Sequence, residues 1–141
     1  MRRLPSTDNG GVTIAPDIRC PCLSGEVYAA CCGRYHGGAH TAPTAVALMR
    51  SRYSAFALSL GRYLLSTWHP STRPTGIDLD DDTGWVRLDI EEIRRGGPAD
   101  SDGVVRFTAI YRDAEGGHRL TETSRFVRES GNWYYVDGVH A

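Results

Sequence analysis

The sequence predicts an α+β domain behind a small metal-binding appendage. Three observations carry this. Apolar residues recur at helical spacing between positions 44 and 68. They switch to alternation from Trp85 onward. All four cysteines fall between positions 20 and 32. Two helices followed by four antiparallel strands bury a helical stripe against one sheet face, which is the α+β arrangement.

The chain has 141 residues, enough for one domain of ordinary size plus an appendage. Its 40% hydrophobic and 9% aromatic content is that of a globular protein. The formal net charge of −1 creates no global field toward nucleic acid or anionic lipid. All 16 basic residues are arginines, so no lysine can form a Schiff base or serve a phosphate loop. The opening Met1-Arg2-Arg3 is not followed by the apolar core of a signal peptide, and no run is long enough to span a membrane. The expected compartment is the reducing cytoplasm, where clustered cysteines are metal ligands more often than disulfides.

Residues 1–17 hold Pro5, Asn9, Gly10, Gly11 and Pro16 with few large apolar groups, and are expected to form a disordered tail. Residues 18–36 are the appendage. One proline separates Cys20 from Cys22, and Cys31 and Cys32 are adjacent. Four thiolates this close in sequence can complete a tetrahedral shell around Zn²⁺. Ser24-Gly25 can turn the chain after the first pair. Residues 26–32 have room for a helical turn or two that Gly33 can end. His36, four residues beyond Cys32, is an alternative fourth ligand. The competing reading is a set of disulfides, but a bridge between adjacent Cys31 and Cys32 would be strained.

Residues 37–41 make a short linker. Pro43 or Thr44 begins a helix whose buried stripe is Ala45, Met49, Tyr53, Phe56 and Leu60. Gly61 interrupts it. A second helix carries Tyr63, Leu64, Leu65 and Trp68 until Pro70 stops it. Residues 71–84 are loop, and the acidic run at 78–82 lacks the oxygen-ligand spacing of a calcium site.

Four strands follow. The first, 85–94, should turn Val86, Leu88 and Ile90 to one face. The second, 104–112, should do the same with Val105, Phe107, Ala109 and Tyr111. The third, 119–128, sets Leu120, Glu122, Ser124 and Phe126 against Arg119, Thr121, Thr123, Arg125 and Val127. The fourth, 132–136, is short and aromatic. Gly- and Asp-rich connections make the turns.

The cysteine spacing with Ser24-Gly25 resembles the SEC-C motif, a small zinc module found at the tail of the translocation ATPase SecA. That resemblance implies zinc chelation by Cys20, Cys22, Cys31 and Cys32. The family carries lysines after the Ser-Gly pair. This chain has Glu26, Val27, Ala29 and Ala30 there, so SecA-like partner binding does not follow. Adding LMRSRYSAF (48–56), YLLSTWHPSTRP (63–74) and TSRFVRESGNWYYVDG (123–138), the chain resembles the YchJ family of bacterial proteins of uncharacterised function. The resemblance implies a cystatin-like cone over 43–138: two helices packed on a curved four-stranded antiparallel sheet, as in nuclear transport factor 2.

Such a cone can enclose a pocket. His69 titrates nearest neutrality and could act as a base there, or it could simply end a helix. Arg52 and Arg125 could clamp a carboxylate or phosphate, or pair with Glu122, Glu129 or Asp137. Trp68, Trp133, Tyr134 and Tyr135 could stack on a planar ligand or fill the core. If the Arg125 face of its strand is the concave one, Tyr53, His69 and Arg125 line a site for a small anion. The expected function is a zinc-binding, non-enzymatic binding or adapter protein with a small-ligand or partner site in the cone. The alternative is an enzyme using His69 and Arg125, with no catalytic residue assigned. Arg50 and Arg52 beside the cysteines could touch nucleic acid, but no basic run supports it.

Overall fold

The computed structural model describes residues 14–79 and 82–140. Positions 1–13 of the expected tail, and 80 and 81 of the acidic run, lie outside them. Residues 14–17 are a correction to that expectation. Ile14 packs against the core, and the Pro16 carbonyl accepts a hydrogen bond from the Ala29 amide at 3.0 Å. The segment is ordered because the appendage gives its backbone partners.

A 3₁₀ turn (Tyr28–Ala30) leads into α1 (Cys32–His36). α2 (Ala45–Ala57) and α3 (Gly61–Ser66) follow, then β1 (Gly84–Arg95), β2 (Asp102–Asp113), β3 (Gly116–Glu129) and β4 (Asn132–His140). The strands form one antiparallel meander in the order β1-β2-β3-β4. The helices cover one face of this curved sheet. No described helix is long and apolar enough to cross a membrane.

Thr44 starts α2 by accepting the Ala47 amide on its hydroxyl at 3.1 Å, a cap worth roughly 1 kcal/mol. The same end is pinned to the β1–β2 turn, where the Ala45 amide donates to the Gly96 carbonyl at 2.9 Å. A Cβ on Gly103 would meet the Gly96 Cα at 2.5 Å and the Ala45 Cβ at 3.2 Å, so only glycine allows this approach. Trp133 adds an indole hydrogen bond to the Pro43 carbonyl at 3.2 Å.

The main core joins Leu48, Met49 and Tyr53 of α2 to Leu88, Val105, Phe107, Ala109, Phe126 and Trp133 of the sheet. Phe126 is 1% exposed, and burying a side chain of this kind contributes about 1.5–3 kcal/mol. A second cluster, Ala55, Leu60 and Leu64, sits where α2 meets α3.

Three expectations shift. Trp68 is not helical, because α3 ends at Ser66 and the chain then runs beside β4. The Tyr135 amide donates to the Thr67 carbonyl at 2.8 Å, and the His69 amide donates to the Tyr135 carbonyl at 2.7 Å. Pro70 pushes His69 into an extended conformation, and the β4 edge supplies the partners a helix would have offered. Val86 is 47% exposed, because a register shift between Trp85 and Arg87 turns Trp85 inward instead. β4 continues to His140, well past residue 136, paired with β3.

Candidate functional site

The first site is a thiol cluster. Residues 19–27 fold as a small hairpin, with Arg19 bridging Val27 and the Cys20 amide donating to the Glu26 carbonyl at 2.9 Å. Its turn needs left-handed backbone at Leu23 (φ 65°) and Gly25 (φ 95°). This aims Cys20 and Cys22 at Cys31 and Cys32, which lie at the mouth of α1. All four sulfurs lie within 4.8 Å of one another, and Cys22 Sγ is 3.6 Å from Cys31 Sγ. A disulfide would need about 2.05 Å, and all four cysteines are free. A tetrahedron with metal–sulfur bonds of about 2.3 Å has edges of about 3.8 Å, so the set fits a thiophilic ion. The cluster can hold a metal.

A second layer comes from α2. The Ser54 hydroxyl donates to Cys32 Sγ at 3.3 Å and lies 3.6 Å from Cys20 Sγ. Arg50 donates to the Cys22 carbonyl at 3.1 Å, and Ser24 Oγ sits 3.1 Å from Cys31 Sγ. Hydrogen bonds from Cys22 and Cys32 drive the Cys20 thiol far below its ordinary value. Hydrogen bonds with Cys20 and Cys22, and then burial, push Cys32 far up, while burial raises Cys31. Thiols this close cannot all ionise on their own, and a divalent cation is what lets them.

His36 is kept apart from the sulfurs. Its Nε2 lies 2.7 Å from the Ser51 carbonyl, which can only accept, so Nε2 carries the proton. Nδ1 then accepts the Tyr28 hydroxyl at 2.5 Å. Burial lowers its pKa and keeps the ring neutral. With both nitrogens engaged, His36 is a peg that fastens the appendage to α2.

The second site is a chamber of about 270 Å³ between α2 and the concave sheet face. Its walls are mostly aromatic and aliphatic, and Arg52, Tyr53, Trp68, Glu122 and Tyr135 bring polar groups. Arg52 is 5% exposed. Its Nη1 donates to the Leu64 carbonyl and the Thr67 hydroxyl, both at 2.7 Å, where α3 ends. The guanidinium carbon lies 4.6 Å from the Tyr135 ring centroid and 5.2 Å from that of Trp68. Burial lowers its pKa to about 10. Among the described residues it forms no ion pair with a carboxylate. Glu122 accepts from Ser124 at 2.6 Å and Tyr135 at 3.3 Å, and lies 2.9 Å from His140 Nε2. The Tyr53 hydroxyl and the Trp68 indole N–H are shielded from solvent and have no hydrogen-bond partner among the described residues.

Of the three residues expected at a cone site, Tyr53 lines this chamber and two do not. Arg125 is a correction. Ser124 and Phe126 are buried on the concave face, so period-two alternation sends Arg125 to the convex one. Its side chain is 63% exposed and holds Asp137 across the strand pair at 2.6 and 2.7 Å. His69 also lies outside the lining, with Nε2 3.0 Å from Glu129 and Nδ1 2.7 Å from Ser71. Glu122 and Arg52 are the charged residues of the chamber, and the expected buried stripe of α2 left out Arg52. Its signal was present: position 52 lies three residues after Met49 and four before Phe56, on the chamber side of α2.

Comparison with known proteins agrees with this architecture. Residues 44–138 match the family described as YchJ, middle NTF2-like domain, and residues 19–34 match the SEC-C motif. A UPF0225 protein of Chromobacterium violaceum is 55% identical over 126 residues, covering 86% of this chain and 93% of the relative. One from Streptomyces coelicolor is 50% identical over 123 residues, covering 87% and 96%. The solution structure of a SEC-C motif containing protein from Rhodopseudomonas palustris superposes with a TM-score of 0.76 at 31% identity, covering 86% of this chain and 98% of that one. A family match over most of the chain, and relatives at half identity over nearly their full length, establish that this chain belongs to the UPF0225 family, a YchJ-type NTF2-like domain with an N-terminal SEC-C motif.

Proposed function

We propose that this protein is a zinc-binding, non-enzymatic binding protein in which a structural zinc clasp fastens α2 as the roof of a ligand chamber. The observation that carries it is the shared helix. Ser51 and Ser54 of α2 serve the appendage, while Arg52, Tyr53 and Phe56 of the same turns line the chamber. Cys20, Cys22, Cys31 and Cys32 would hold the ion. Four sulfur ligands favour zinc and leave no open position for a substrate or water, so the ion would be structural.

Binding is favoured over catalysis because the two residues that supported an enzymatic reading, His69 and Arg125, are paired elsewhere. Within the chamber Glu122 is already engaged by three neighbouring donor groups. The test is metal analysis of the full chain purified without chelator. About one equivalent of zinc is expected, lost in Cys32→Ser and kept in His36→Ala. The reverse pattern would refute the clasp.

A further inference from the structure

The chamber holds polar groups that the fold itself leaves unanswered. The inference drawn from them rests on the binding reading above and names the ligand class. Three observations converge. Among the described residues the Tyr53 hydroxyl, on a buried residue, has no partner, and neither has the Trp68 indole N–H. Burial pushes the Tyr53 pKa up to about 12, so the phenol stays protonated and can donate. The nearby Arg52 guanidinium is buried and forms no ion pair among the described residues. The Leu64 carbonyl, the Thr67 hydroxyl and two aromatic rings hold Arg52, and the Glu122 charge reaches it, so what stands unanswered is two orphan donors, which are destabilising and which native proteins keep rarely.

The lining reports the rest of the ligand. Phe56, Trp85, Phe107 and Leu120 offer flat apolar walls and few polar atoms. A volume of about 270 Å³ suits one ring or two fused rings. Glu122 does not ask for a cationic ligand, because Ser124, Tyr135 and His140 already surround its carboxylate. A phosphate would bring more charge and more acceptor oxygens than these donors can match.

We infer that the chamber binds a small, flat, apolar carboxylate, its carboxyl group accepting from Arg52, the Tyr53 hydroxyl and the Trp68 indole N–H. The apolar body lies against Phe56, Trp85 and Phe107.

The test uses the zinc-loaded full chain, ¹⁵N-labelled, titrated separately with 2-naphthoate, 2-naphthamide and 2-naphthylmethylammonium. The Trp68 indole cross-peak reports the carboxyl end and that of Trp85 reports the apolar end. Expected is binding of 2-naphthoate about tenfold tighter than of the amide, with the Trp68 peak moving downfield. Tyr53→Phe removes only an orphan donor and keeps the ring, while Trp68→Phe removes the other and trims the ring that packs on Arg52 and Tyr135. Each should weaken 2-naphthoate by about threefold to tenfold while the protein stays folded. Equal affinity for the amide, tighter binding of the ammonium, or wild-type affinity in both variants overturns the ligand class and leaves the chamber reading standing. If none of the three compounds moves Trp68 or Trp85, the ligand class and the chamber reading fall together.

Discussion

The thiol cluster and the chamber sit on opposite sides of α2, and they differ in how their polar groups are answered. Around the sulfurs the neighbouring polar groups find partners. Ser54 reaches Cys32, both nitrogens of His36 are bonded, and Arg50 holds the Cys22 carbonyl. In the chamber the Tyr53 hydroxyl and the Trp68 N–H are left over. A set of polar groups that satisfies itself can stabilise a fold, whereas one that keeps unmet donors has capacity for a ligand. Under the proposed function, the two sides of one helix carry a clasp and a receptacle.

The largest effect that would break this contrast is removal of the metal. Structural zinc contributes on the order of 10 kcal/mol to a site that cannot form without it. Cys20, Cys22 and Cys32 belong to the same apolar cluster as Leu48, Met49 and Tyr53. Chelation should therefore strip amide protection from α1 and loosen α2 while β2 and β3 stay protected. Hydrogen exchange with and without chelator measures this. Unchanged protection in α2 would mean that the clasp and the chamber are independent.

His36→Ala should come next. It leaves the Tyr28 hydroxyl and the Ser51 carbonyl without their partner and opens a cavity, at a cost of about 3 kcal/mol. Urea unfolding would show it, with the metal content unchanged. Ser54→Ala should cost less, about 1 kcal/mol, and weaken metal affinity by roughly tenfold through the lost contact to Cys32. A chelator competition assay reads the affinity.

Tyr53→Phe sharpens the comparison from the other side. Its hydroxyl has no partner among the described residues, so stability should hold or rise by up to about 1 kcal/mol. A marked loss would show that the hydroxyl is engaged and the chamber has no vacancy there. Arg125→Ala should do least. Its exposed pairing with Asp137 predicts no measurable change in urea midpoint and none in 2-naphthoate affinity.

The sequence alone was enough for features set by local backbone geometry. Four cysteines within thirteen positions converge because a short hairpin and one helical turn bring them together, whatever lies beyond. The α2 stripe and the alternation of β2 and β3 were legible for the same reason: 3.6- and two-residue periods belong to the chain itself. The tertiary structure decided what depends on distant partners. β3 carries polar residues on both faces, so its pattern could not say whether Glu122 or Arg125 points inward; packing of Phe126 under α2 did. Trp68 left its helix because β4, far along the chain, offered hydrogen bonds. The bulge that turns Val86 outward arises from pairing with β2. His36 fastens the appendage to α2 because Ser51 waits there. Periodicity is a property of one segment. The choice of face, register and partner is made by contacts between segments, and their free energy appears only once the chain has closed on itself.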